Sequence, residues 1–166
     1  PFFIYRDPRD VVVSHVFYVT EMEIRHVHHS FYASLADFES RLRVSILGRP
    51  ELEIEFPNIG ARFAPYLGWL DAPSVLSLHF EDLVNQRGAA LGAILDRFLA
   101  RVPMSMSREV VLTALETAIN PRRSPTFRSG RTGEWKRYFT PAIKDLFKSV
   151  TGDLLQRLGY EDAANW

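Results

Sequence analysis

The sequence has no cysteine among its 166 residues. This excludes disulfide bonds, thiolate zinc or iron–sulfur sites and a cysteine nucleophile, and it is typical of a reducing compartment, so we predict a cytoplasmic protein. An excess of one charge is also missing, because 20 Lys and Arg balance 20 Asp and Glu. Binding nucleic acid or a membrane surface over a large area needs a basic excess, so the balanced charge argues against both of these functions.

Long apolar runs are missing as well. A membrane helix needs about 20 apolar residues, whereas the longest run here, from Val11 to Val19, contains Ser14 and His15. The sequence starts at Pro1, inside a predicted strand, and no charged segment precedes an apolar one as in a signal peptide. We therefore expect one domain over residues 1–166 that is part of a longer protein.

The hydrophobic pattern predicts an α/β fold that is mostly helical. Two short apolar runs, from Pro1 to Tyr5 and from Val75 to Phe80, have the composition of buried strands. Apolar spacing predicts helices over about 8–26, 34–47, 58–70, 88–102, 107–119 and 140–159. Asp7, Ser107 and Thr140 are the expected N-caps, prolines follow two of them directly as first helical residues, and Pro65 is expected to bend the third helix. Because a helical segment joins the two strands, we expect them to be parallel, with Arg6 and Phe80 at the same end of the sheet. Residues 120–133 are predicted to form a loop.

The turn after the first strand carries residues that suit an anion. Arg6 follows the strand directly, and ligands in open α/β sheets lie at the carboxyl ends of strands. Asp10 and Ser14 share the helix face that points back towards the strand end. The guanidinium of Arg6 and the hydroxyl of Ser14 are together suited to hold a phosphate. The alternative is that Arg6 pairs with Asp10 and that Ser14 only packs.

A second basic element lies near the carboxyl end. Residues 122–137 hold one acid, Glu134, and six basic side chains: Arg122, Arg123, Arg128, Arg131, Lys136 and Arg137. Backbone N–H groups of such a glycine-containing loop can turn towards an anion. A nucleotide phosphate, a nucleic acid or no ligand at all fits this composition.

Three segments together resemble a known family. Tyr5-Arg-Asp-Pro-Arg-Asp-Val-Val-Val-Ser14 is similar to the 3′-phosphate-binding segment R-N-P-K-D-x-x-x-S of sulfotransferases that use 3′-phosphoadenosine-5′-phosphosulfate. Arg128-Ser-Gly-Arg-Thr-Gly-Glu-Trp-Lys136 resembles their second nucleotide signature, R-K-G-x-x-G-D-W-K. Val75-Leu-Ser-Leu-His-Phe-Glu-Asp-Leu83 resembles their L-x-x-x-Y-E-D segment. The resemblance covers essentially the whole chain, in the family's order, and implies the carboxyl-terminal part of a sulfotransferase domain. The fold that it implies is part of a P-loop-NTPase-like parallel sheet flanked by helices.

The resemblance implies a role for each matching position. Arg6 and Ser14 are expected to bind the 3′-phosphate, and Arg128, Ser129 and Gly130 to close over the same group. Ser129 stands where the family has lysine, which removes a charge but leaves a hydroxyl and an N–H as donors.

Other positions are expected at the adenine and in the loop. Phe80 replaces a tyrosine that contacts adenine, and Thr113 and Leu115 match a Thr-Ser-Phe stretch that lines the adenine pocket. Trp135 and Lys136 are expected to hold the loop.

Some parts of the family pattern have no match in the chain. The phosphosulfate loop P-K-S-G-T-T, the general-base histidine and the stabilising lysine are expected before Pro1, so we assign no catalytic residue. Lys136, Thr140 and Asp145 are similar to a short dimerisation motif, with proline and aspartate replacing its valine and glutamate, and indicate a homodimer.

The resulting hypothesis is a sulfotransferase that acts on a hydroxyl or amine of a small-molecule acceptor, with no nucleic-acid or membrane partner. The alternatives are a non-catalytic phosphoadenosine-binding or protein-interaction module, and a nucleic-acid binder that uses residues 122–137. His26, His28 and His29 are interpreted as a polar helix end rather than a metal site, and His15 and His79 as core histidines.

Overall fold

The computed structural model describes residues 1–52 and 56–166. The chain divides into two compact units, which we describe separately: residues 1–6 with 69–132, and residues 7–68 with 133–166. The expectation of a single domain stays a prediction. The strands are β1 (Phe2–Tyr5) and β2 (Leu76–His79). The helices are α1 (Pro8–Phe17), α2 (His29–Ser34), α3 (Phe38–Leu47), α4 (Ile59–Phe63), α5 (Phe80–Asn85), α6 (Arg87–Leu99), α7 (Arg108–Ala118), α8 (Pro141–Thr151) and α9 (Leu154–Arg157).

The two strands of the first unit form a parallel pair, which confirms the prediction. Phe2 lies opposite Leu76, and Tyr5 lies opposite His79. The second strand ends one residue earlier than predicted, because Phe80 begins α5. Glu81 and Asp82 in the first turn of that helix place negative charge at its positive end. Among the described residues, these two strands make up the sheet.

Helices α6 and α7 complete the first unit. Helix α6 packs against β2 and against α7. Arg108 at the start of α7 forms an ion pair with Asp96 of α6, with 2.6 Å between Nε and Oδ1. Ser107 accepts a hydrogen bond from the N–H of Val110, which confirms the predicted cap of α7.

The second unit has its core around α1. Asp7 caps this helix and Pro8 is its first residue, as predicted. Helix α1 packs against α3 and the 3₁₀ turn Glu134–Arg137, and α3 packs against α8. The fully buried core residues include Val12, Val16, Val19, Leu42, Ile46, Ile143 and Phe147. The valine spacing of three to four residues explains why one face of α1 is buried.

Three predicted helices differ from the structure. The first ends its regular part at Phe17 and continues as a π-helical turn to Met22. Residues 34–47 do not form one helix, because Asp37 caps α3 by accepting from the N–H of Ser40 at 2.7 Å. The last helix is interrupted at Gly152, whose φ of 55° lies in the left-handed region.

The helix predicted over 58–70 bends as its proline requires. Asn58 caps α4, which ends at Phe63, and a 3₁₀ turn follows over Ala64–Trp69. Pro65 lacks the N–H that a regular helix needs at this point. Among the described residues, none of the helices combines the length and the hydropathy needed to cross a membrane.

Thr140 caps α8 as predicted, with its hydroxyl accepting a hydrogen bond from the N–H of Ile143. The same hydroxyl donates to Glu39 within the chain at 3.3 Å. This residue therefore has a structural role in the isolated chain. The homodimer expected through Lys136, Thr140 and Asp145 stays a prediction.

Candidate functional site

The centre of the candidate site is Arg6 at the carboxyl end of β1. Since β1 and β2 are parallel and Tyr5 lies opposite His79, the next residues of both strands emerge at the same end. The guanidinium carbon of Arg6 lies 5.1 Å from the centre of the Phe80 ring. This confirms the prediction that Arg6 and Phe80 share one end of the sheet, and it forms a cation–π contact.

Residues 122–132, which we call the basic loop, reach the same end of the sheet. Nη2 of Arg6 donates a hydrogen bond to the carbonyl oxygen of Arg131 at 3.0 Å, across 125 positions of sequence. The loop is tightly turned, because the N–H of Arg131 donates to Oγ of Ser129 at 3.3 Å. Gly130 has a φ of 63°, and a Cβ there would lie 2.9 Å from the Phe127 ring. The two predicted phosphate-binding segments are therefore in direct contact through Arg6.

The other residues of the first unit that were expected at the nucleotide divide into two groups. Arg128, Ser129 and Gly130 are half-buried within the loop that Arg6 contacts. Thr113 and Leu115 belong to α7, and both are exposed. Leu115 lines a cavity together with residues at the start of β1, whereas Arg6 and Phe80 follow the strand ends. The structure therefore does not bring Leu115 to the side of Phe80, and a shared adenine pocket stays a prediction.

Ser14 belongs to the second unit. It lies on α1 one turn after Asp10, and its side chain is half-buried. Its expected role at the 3′-phosphate stays a prediction from the resemblance.

Asp10 holds the segment that follows the basic loop. Its carboxylate is 1% exposed and accepts hydrogen bonds from the N–H of Gly133 at 2.6 Å and from the N–H of Trp135 at 2.9 Å. Hydrogen bonds to a charged acceptor are stronger than neutral ones. From the sequence, we expected Asp10 at most to pair with Arg6. The aspartate that follows Arg9 in the first motif therefore fixes the start of the Glu134–Arg137 turn.

Arg9 stabilises the same turn from its other side. Its guanidinium carbon lies 3.9 Å from the Trp135 ring centre and 4.6 Å from that of Trp166. It also forms ion pairs with Asp7, at 2.8 Å, and with Glu161. These partners keep the pKa of Arg9 above its usual range although burial opposes this. The contacts agree with the expectation that Trp135 holds the loop, and the partners in 161–166 had no recognisable signal in the sequence.

Replacing Asp10 by asparagine is expected to lower the free energy of unfolding by about 2 kcal/mol. The amide oxygen still accepts one hydrogen bond, but the NH₂ group faces the second buried N–H donor. Chemical unfolding followed by tryptophan fluorescence measures the change. Asp162→Asn, at an exposed position, is the control and should unfold like the original protein. Equal stability of both variants would contradict the role of Asp10.

A buried polar cluster lies in the second unit around His15. Its Nδ1 is 3.1 Å from Oγ of Ser45 and 3.5 Å from the hydroxyl of Tyr32. Oγ of Ser45 donates its single hydrogen to the carbonyl of Val12 at 3.0 Å. Nδ1 of His15 must therefore carry a proton and donate to Ser45. This confirms the interpretation of His15 as a hydrogen-bonded core histidine.

Cationic groups surround this histidine. The pKa of His15 is lowered to about 3, chiefly by burial and also by the charges of Arg62, His26 and His28. The Phe56 ring stacks on His15 at 4.8 Å, and Arg62 lies 4.5 Å from the same ring centre. Burial also lowers the pKa of Arg62 to about 10. The cluster therefore favours the neutral imidazole.

The remaining histidines do not form a recognised metal site. His26 and His28 have ring centres 5.2 Å apart, and His29 contacts the carbonyl of Val19 at 2.8 Å. Within residues 1–52 and 56–166, no group of three or more His, Asp or Glu side chains is arranged to hold a metal ion. His79 packs against Tyr5, with 4.7 Å between ring centres.

Comparison with protein-family models, with curated proteins and with solved structures gives no match for this chain.

Proposed function

We propose that the chain binds the 3′-phosphate of a 3′-phosphoadenosine nucleotide. It would do so as part of a sulfotransferase that transfers a sulfuryl group from 3′-phosphoadenosine-5′-phosphosulfate to a hydroxyl or amine of a small molecule. The observation that carries the proposal is the contact of Arg6 with both the Phe80 ring and the backbone of the basic loop. Three segments that resemble the family's nucleotide-binding motifs meet at this one arginine.

The chemistry of this arrangement suits a phosphate ester. The Arg6 guanidinium carries its N–H donors in a planar fork that matches phosphate oxygens. The adjacent loop adds positive charge from Arg128 and Arg131 and backbone N–H groups around Gly130. The Phe80 ring beside the guanidinium offers an aromatic surface for a base attached to the phosphate.

The resemblance supplies the finer parts of the proposal. It favours a P-loop-like sheet, of which β1 and β2 are two strands, and a small-molecule acceptor. The absence of cysteine favours a cytoplasmic location. We assign Arg6, Phe80 and the basic loop to nucleotide binding, and we assign no described residue to proton transfer.

Calorimetric titration of the chain with adenosine 3′,5′-bisphosphate tests the proposal. We expect it to bind at least about tenfold more tightly than adenosine 5′-monophosphate, because only the bisphosphate has the group that Arg6 recognises. ATP is the control for charge, since it carries more negative charge but no 3′-phosphate. Equal affinity for ATP and the bisphosphate would contradict the proposal, and no nucleotide binding would favour an interaction module.

A further inference from the structure

The first unit contains a cavity that the proposed nucleotide site does not use. It has a volume of about 610 Å³ and lies between the start of β1 and the helices α6 and α7. This volume is within the range of small-molecule sites, roughly 300–1,000 Å³. Apolar side chains form most of its wall, among them Phe2, Ile94, Phe98, Val102, Met104 and Val111.

The apolar wall is open to solvent in part. Phe98 is 50% exposed and Met104 is 39% exposed, although both line the cavity. Covering such side chains with hydrocarbon removes apolar surface from water, which is favourable in proportion to the area covered. The wall therefore favours a ligand with a hydrocarbon body.

The charged side chains of the wall, as far as the described residues form it, are positive. Arg97 and Arg101 line the cavity together with the apolar residues, and no carboxylate of residues 1–52 or 56–166 does. Nη2 of Arg97 donates to the carbonyls of Pro73 and Ser74, whereas its buried Nε has no hydrogen-bond acceptor within the described part of the chain. The nearby acid of α6, Asp96, is paired with Arg108. An anionic group at the wall would therefore complement both arginines.

We propose that this cavity binds an amphipathic anion of the fatty-acid type. Its hydrocarbon chain lies against Phe98, Val102 and Met104, and its carboxylate faces Arg97 and Arg101. The proposal does not depend on nucleotide binding, because Arg6, Phe80 and the basic loop are not part of the wall. Of the residues predicted for the nucleotide, Leu115 alone lines the cavity.

Displacement of a bound fluorescent fatty acid from the full chain tests this site. The competitors are octanoate, decanoate and dodecanoate below their micellar concentrations, with 1-dodecanol as the uncharged analogue. We expect affinity to rise about fourfold per added methylene while the chain fits the cavity. Dodecanoate should bind about tenfold more tightly than dodecanol, because its head group accepts charge-assisted hydrogen bonds.

Two matched variants locate the ligand. Met104→Glu places a carboxylate in the wall, which repels the carboxylate of the ligand. It should weaken dodecanoate binding at least about tenfold relative to Met104→Gln, because glutamine has the shape of glutamate without its charge. Arg101→Gln should reduce the preference for dodecanoate over dodecanol. Since Met104 and Arg101 are exposed, these variants are expected to fold, and circular dichroism checks this.

Three results would overturn the proposal. The first is that dodecanoate does not bind, and the second is that dodecanol binds as tightly as dodecanoate. The third is that light scattering shows a dimer that Met104→Glu, but not Met104→Gln, converts to a monomer. In that case a second copy of the chain covers the cavity.

Discussion

Replacing Arg6 by alanine is expected to weaken the binding of adenosine 3′,5′-bisphosphate by about 2–4 kcal/mol, which is roughly 30- to 1,000-fold in the dissociation constant. The phosphate loses a charged, bidentate partner, and the loop loses its hydrogen bond from Nη2 to the carbonyl of Arg131. Phe80 also loses the guanidinium that covers its ring. Calorimetry of the variant and the original chain at the same ionic strength measures the effect.

Two further variants separate the role of the side chain from general charge. Arg6→Lys keeps the charge but not the planar fork, so its affinity should lie between those of the original chain and Arg6→Ala. Arg123→Ala removes an exposed arginine of the same basic segment and should change the affinity only slightly. An Arg6→Ala protein that is folded and binds the nucleotide as tightly as the original would contradict the proposed site.

The parts of the fold that were predicted correctly depend on local signals. Asp7, Ser107 and Thr140 have short polar side chains directly before an apolar periodic segment, and each caps the helix that follows. Such a cap needs only the N–H groups of the next turn, so the sequence alone contains the information. The parallel pairing of β1 and β2 followed from the helical connection between them.

The parts that were predicted wrongly depend on contacts distant in sequence or on competing signals. Ser34 and Asp37 both precede apolar residues, and only Asp37 accepts the hydrogen bond that begins α3. The π-helical turn over Tyr18–Met22 widens a helix that hydrophobic spacing describes as regular. Gly152 interrupts a continuous amphipathic pattern through its positive φ, which the pattern does not encode.

The same distinction applies to the candidate site. The juxtaposition of Arg6 and Phe80 was predictable, because it follows from strand direction alone. The contacts of Arg9 with two tryptophan rings were not predictable. Trp135 and Trp166 are more than 120 residues away in sequence, and Trp166 lies outside both nucleotide-binding motifs. Motif resemblance names the residues that are expected at a ligand, whereas the residues that hold the motif in place depend on packing.

The largest pH effect is expected from His15. The pKa of its imidazole is about 3 in the folded chain and about 6.5 in an unfolded one. Between these values the unfolded chain binds a proton that the folded chain does not, so acidification favours unfolding. The contribution is fully present above pH 6.5 and is lost as the pH falls towards 3, by up to about 5 kcal/mol.

The cause is the surroundings of the imidazole rather than a single partner. Burial disfavours the charged form, and Arg62, His26 and His28 repel a second positive charge. The hydrogen bond to Ser45 gives no compensation, because Nδ1 already donates to Ser45 in the neutral form. Protonation of the ring would therefore add a charge and gain no acceptor among these neighbours.

His15→Gln removes the titrating group and tests this account. The variant is expected to be less stable at pH 7.5, because it loses the stacking contact with Phe56. Its free energy of unfolding should nevertheless fall less steeply between pH 6.5 and pH 4 than that of the original chain. His29→Gln, whose imidazole lies against the carbonyl of Val19, is the matched variant for the loss of a histidine at another position. Since the carboxylates are the same in all three proteins, their titration cancels in the comparison. Parallel pH profiles for His15→Gln and the original chain would show that His15 binds its proton equally in the folded and unfolded states.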